Sequence, residues 1–78
     1  MTQQEIYAKL QEILMTVKPK LDPSRISMDA SLTTDLGIDS LSMLFLSLAA
    51  EHEFGFQFQT REPFKTVREV VEYIGKAI

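Results

Sequence analysis

Asp35-Leu36-Gly37-Ile38-Asp39-Ser40-Leu41 marks the point where a long irregular stretch becomes a helix. Gly37 lets the backbone turn tightly. Asp39 and Ser40 are both residue types that cap helices by accepting a backbone N–H. A serine hydroxyl at this junction lies beside free backbone N–H groups and the positive end of the helix dipole. Both stabilise a phosphate without a basic side chain. Leu36, Ile38 and Leu41 are expected to clamp the surroundings onto a core. The same residues also read as a plain helix cap, and local physics alone favours that reading, because Ser and Asp are common caps.

The helix that follows is expected from Ser40 to Glu53, capped by Asp39 or Ser40 and uninterrupted until Gly55. Its apolar residues, Leu41, Met43, Leu44, Phe45, Leu46, Leu48, Ala49, Ala50 and Phe54, wrap too far around to form one core stripe. In so small a chain the helix cannot be buried on all sides. Part of that surface is therefore expected to face a partner or ligand.

Upstream, Pro19 to Asp39 has no sustained period and reads as one long loop. Leu21, Ile26, Leu32, Leu36 and Ile38 recur along it as anchors, so the loop is expected to be ordered. Before it, Gln3 to Val17 reads as an amphipathic helix. Thr2 with Glu5 opens it as a capping box, and Ile6, Leu10, Ile13, Leu14 and Val17 form its apolar face. Lys18 and Pro19 end it. Downstream, Phe56 to Gln59 alternates but has no second strand to pair with, and reads as an extended connection whose aromatics plug the core. A short helical turn is expected near Arg61 to Phe64. Thr66 with Glu69 then opens a last helix to about Ala77, with Val67, Val70, Val71 and Ile74 inside. The fold class is all-α, a small helical bundle.

The 78 residues are expected to form a single domain, 1–78, around one modest core. No stretch approaches the roughly 18 consecutive apolar residues of a membrane span, and Met1 to Glu5 lacks the features of a secretory signal. There is no cysteine, hence no disulfide framework and no thiol nucleophile. A cytoplasmic location is the default expectation. The net charge of −3 is unevenly spread. From Ile26 to Thr60 there is no Lys or Arg, while Asp29, Asp35, Asp39, Glu51 and Glu53 fall inside. Such a middle repels phosphate backbones, which argues against nucleic acid, and favours basic protein surfaces. Solvated acidic surface is the plainer alternative.

Catalytic constellations are not found. His52, the single histidine, lies about three helical turns from Ser40, too far for a nucleophile–base hydrogen bond. One histidine among scattered carboxylates is a poor transition-metal site. Asp29, Asp35 and Asp39 do not fit a calcium loop, and three glycines make no nucleotide-binding loop.

The run from Asp35 to Leu41 resembles the signature of acyl carrier proteins, in which Leu-Gly-x-Asp-Ser-Leu surrounds a modified serine. The resemblance covers nearly the whole chain in order, from the first helix and long loop to Glu51–Phe54 and the helix from Thr66 to Ile74. It implies a four-helix bundle, three helices long and one short, with the long loop between the first two. It implies that Ser40 carries 4'-phosphopantetheine, transferred from coenzyme A by a magnesium-dependent phosphopantetheinyl transferase, with Asp39 taking part in recognition. Acyl groups would ride on the arm as thioesters, presented to acyl-loading and acyl-processing enzymes of a fatty-acid-like or polyketide-like pathway. The protein would be a carrier rather than an enzyme, and a free-standing monomer. Its recognition face would comprise Leu41, Leu44, Phe45, Leu48 and Glu51, with Asp35 and Asp39 at its head. The segment from Phe54 to Val67 is about two residues shorter than the family's. Ser42 and Phe45 stand where carriers of primary fatty-acid synthesis usually have acidic residues, which implies a specialised carrier. The other readings are a peptidyl or D-alanyl carrier, which the run fits less well, and an unmodified helical interaction domain.

Overall fold

The first helix, α1 (Gln3–Val17), starts where Thr2 and Glu5 close a reciprocal cap. The Glu5 N–H donates to Thr2 Oγ1 at 3.2 Å, and the Thr2 N–H donates to Glu5 Oε1 at 3.1 Å. Two of the helix's orphan donors are thereby satisfied. The computed structural model describes residues 1–59 and 64–78. It continues through a short 3₁₀ turn, η1 (Pro23–Arg25), to α2 (Ser40–Phe54) and α3 (Val67–Ala77). There is no strand among the described residues, only an isolated antiparallel bridge between Ser31 and Thr66. The short helical turn expected near Arg61 to Phe64 lies, except for Phe64, outside the described residues.

Helical spacing puts Ile6, Leu10, Ile13 and Leu14 of α1 inside, with Val17 only half-buried. On α3 the buried stripe is Val67, Val70, Val71 and Ile74, entered through a second capping box of Thr66 and Glu69. α1 packs against both α2 and α3. On α2 only Leu46 and Ala50 are buried. The helix stops at Gly55, whose φ of 68° is the left-handed conformation glycine adopts without penalty.

The long loop fills what the helices leave open. Leu21, Ile26, Ala30, Leu32, Leu36 and Ile38 are all buried in the same core. Main-chain bonds fasten it to the start of α3. The Arg68 N–H donates to the Met28 carbonyl at 2.7 Å, the Val67 N–H to that of Ala30 at 3.2 Å, and the Leu32 N–H to that of Lys65 at 2.9 Å. Loop backbone that must leave the solvent thus finds its partners across the chain. Beyond α2, Phe56 and Phe58 are half-buried and gather with Phe64 and Tyr73, with ring centroids 4.7 to 6.3 Å apart. Such separations suit edge-on and tilted aromatic packing.

Leu41 departs from expectation. Of its two expected places, with Leu36 and Ile38 on the core or on the recognition face, the first fails: it is 61% exposed while they are buried. Helical spacing puts it on the same exposed side of α2 as Leu44, Phe45 and Leu48, away from Leu46 and Ala50.

Because Leu32 is fully buried and Leu48 half in solvent, their truncations should differ. Leu32→Ala is expected to cost about 2–5 kcal/mol of unfolding free energy in urea titration. Leu48→Ala should change it by no more than about 0.5 kcal/mol.

Candidate functional site

At the head of α2 the capping duty falls to Asp39 alone. Its Oδ1 accepts the Ser42 N–H at 2.8 Å, and its carbonyl accepts the Met43 N–H at 2.8 Å. Ser40 is therefore the first residue of the helix, is exposed, and has no hydrogen-bond partner for its hydroxyl among the described residues. The two residues that composition alone could not separate have separate jobs. Asp39 holds the helix end, and Ser40 is left with a free nucleophilic oxygen beside the unpaired first N–H groups of α2.

The turn before it is held from several sides. Gly37 sits at φ 65°, a region costly for residues with a Cβ. The Ile38 N–H donates to the Leu32 carbonyl at 2.8 Å, and buried Leu36 and Ile38 press the turn onto the core. Asp35 Oδ2 accepts the Ser31 N–H at 2.7 Å. Lys18, just past α1, donates to the Gly37 carbonyl at 2.8 Å.

Along α2, Leu41, Leu44, Phe45 and Leu48 recur at helical spacing and stand 61%, 53%, 52% and 53% exposed. They form one apolar face running away from Ser40. Phe45 does not pack in the core. Glu51 is half-buried, and its Oε2 accepts the Phe58 N–H at 2.8 Å, which fixes the chain after Gly55. Two other acids of the cation-free middle are paired: Glu53 with Lys9 at 3.0 Å and Asp29 with Arg68 at 3.1 Å. Among the described residues no cluster of ligating side chains could hold a metal ion, and no helix is long and apolar enough to cross a membrane.

A free serine hydroxyl opening a helix, with an apolar helical face beside it, suits a group tethered through phosphate and offered to other proteins. The family model for the phosphopantetheine attachment site matches residues 4–74. The chain belongs to that family. Its relatives are carriers rather than enzymes, and the group that membership brings is a covalently attached 4'-phosphopantetheine. An acyl carrier protein of Petrotoga mobilis is 34% identical over 80 residues, covering 100% of this chain and 93% of the relative. One from Renibacterium salmoninarum is 40% identical over 76 residues, covering 95% and 93%. The meromycolate extension acyl carrier protein of Mycolicibacterium smegmatis is 38% identical over 77 residues, covering 96% and 77%.

Three contacts of this carrier-family site escape sequence reasoning: Lys18 on Gly37, Asp35 on Ser31 and Glu51 on Phe58. Asp35 and Glu51 stand out as charges, but nothing in spacing reveals which backbone donors they accept. Lys18 carries no motif.

Accepting a backbone N–H holds the Asp39 carboxyl below the ordinary value of 3.8, and the Ser42 hydroxyl and Lys18 ammonium add to this. Asp22, accepting from Ser24, is lowered in the same way, and Glu5, accepting from Thr2, is lowered from 4.5. A lowered folded pKa stabilises the fold above the unfolded value, and that contribution is lost as pH falls through the folded one. The melting temperature should therefore drop on acidification below about 4. Asp39→Asn, which keeps a capping oxygen, should make that drop shallower.

Proposed function

We propose that Ser40 is the attachment point of the arm, and that the domain, residues 1–78, carries acyl intermediates for a set of partner enzymes. The observation that carries this reading is the division of labour at the helix start: Asp39 caps, and Ser40 projects an unused, exposed hydroxyl. The residues present fit the group. The exposed hydroxyl supplies the ester oxygen, and the first N–H groups of α2 with its dipole favour the phosphate. When bound, the arm supplies a terminal thiol that holds an acyl group as a thioester. The chain's own part is to present Ser40 at a fixed place, to keep the helix end rigid and to offer a docking face.

The docking face is Leu41, Leu44, Phe45 and Leu48, headed by Asp35 and Asp39 and followed by Glu51. Its partners are a phosphopantetheinyl transferase and acyl-loading and acyl-processing enzymes. Two features support this. Four large apolar side chains are exposed in one row, and no Lys or Arg lies between Ile26 and Thr60. Apolar area gives affinity, and acidic surroundings steer a basic-rimmed partner. The exposed Phe45 supports a specialised carrier that chooses partners more by apolar fit than by charge. A monomer in the cytoplasm, where its partner enzymes would meet it, completes this reading.

Incubation with coenzyme A, magnesium and a broad-specificity phosphopantetheinyl transferase should add the mass of one arm, and Ser40→Ala should abolish the addition. No addition to the folded wild-type protein would remove Ser40 as the attachment point. Phe45→Glu should lower acyl transfer with cognate enzymes by about tenfold, as expected for a central interface aromatic. Transfer rates left unchanged would dismiss Phe45 as a partner selector.

A further inference from the structure

α1 ends at Val17, and the backbone N–H of Lys18 closes it by donating to the Leu14 carbonyl. The Lys18 side chain then reaches across the fold to the Gly37 carbonyl at 2.8 Å. Among the described residues, this is the one hydrogen bond that ties the segment from Asp35 to Leu41 to the cap of α1; its remaining hydrogen bonds stay within the loop and α2. Gly37 is the left-handed turn residue three positions before Ser40. Lys18 also lines a shallow hollow of about 410 Å³, together with Lys20, Arg25, Asp35 and Gly37. The nearest contact of a Cβ placed on Gly37 would be Lys18 Nζ, at 3.7 Å. The ammonium thus sits against the turn itself.

We infer that Lys18 is a positioning residue for modification of Ser40: by pinning the Gly37 carbonyl it fixes the turn that presents the hydroxyl to the transferase. The inference rests on Ser40 being the attachment point. In the transfer, the Ser40 oxygen bonds to the phosphorus that bears pantetheine in coenzyme A. The bond from that phosphorus to the bridging pyrophosphate oxygen breaks, adenosine 3',5'-bisphosphate leaves, and the hydroxyl proton passes to a base of the transferase. Lys18 touches none of these atoms. Its effect is on the fraction of carrier molecules whose turn is already in the presenting conformation. A lowered fraction raises the apparent dissociation constant for the carrier and leaves the chemical step alone.

The test compares wild type with Lys18→Met, Lys18→Arg and Lys20→Met, each checked for unchanged helicity by circular dichroism. Lys18→Met should raise the transferase's KM for the carrier by roughly threefold to tenfold, the range expected when one hydrogen bond that orders a turn is lost. The kcat should hold. Lys18→Arg, which can still donate to the carbonyl, should restore most of the loss. Lys20→Met removes the same charge from the same hollow and should behave as wild type. In parallel, amide exchange at Ile38, whose N–H is bonded to the Leu32 carbonyl, should quicken in Lys18→Met alone. Equal losses in Lys18→Met and Lys20→Met would reduce the effect to charge and overturn the inference. So would an unchanged KM, or unchanged exchange at Ile38. A wild-type protein that takes no arm would instead bring down the assignment of Ser40. The exchange result stands apart from that outcome and decides whether Lys18 holds the turn.

Discussion

Burial of the long loop is the constraint on which the rest of this structure depends. In this chain the three helices do not enclose the core by themselves. The loop supplies six buried side chains, Leu21, Ile26, Ala30, Leu32, Leu36 and Ile38, against two from α2. Burying a loop is costly unless its backbone polar groups are paired. The pairing with residues 65–68, made almost wholly by main-chain groups, meets that cost. Once the loop is fixed, its last residues are fixed as well. The turn that leads into Ser40 rests on buried Leu36 and Ile38 and carries the Lys18 ammonium on its Gly37 carbonyl.

The acidic residues of the middle segment serve structure and surface together. Asp35 and Asp39 each accept a backbone N–H while remaining exposed, so their charge is anchored yet still felt by an approaching protein. Glu53 and Asp29 are partly neutralised by Lys9 and Arg68, through exposed pairs of small energetic worth. Asp35 and Asp39 accept backbone N–H groups and have no such ion pair among the described residues, while the Lys18 ammonium stands on the same turn.

Much of this was legible in the chain. The bounds of α1, the two capping boxes and the buried stripes of α1 and α3 follow from spacing, because a period of 3.6 residues leaves an unambiguous record when one face is buried. The overfull apolar surface of α2 likewise foretold an exposed row. Other features left no periodic trace. The 3₁₀ turn at Pro23–Arg25 depends on Asp22 accepting from Ser24, which its composition permits but does not require. Leu41 admits two readings from sequence, a clamp on the core and a member of the recognition face, and its exposure excludes the first. The choice between Asp39 and Ser40 as cap also lay beyond the residues themselves, since both types cap well. The contacts of Lys18 and Glu51 join positions far apart in sequence and needed the fold to be known.

The backbone clasp between residues 28–32 and 65–68 divides the chain mechanically. In chain order the turn at Gly37 and α2 fall between its two halves, while α1 precedes it and α3 runs on from it. Within that span α2 buries Leu46 and Ala50 and packs Met43, Ala49 and Phe54, partly covered, against the core. Ser40 thus lies in a segment closed at both ends by main-chain bonds, so its place is tied to the core from both directions along the chain.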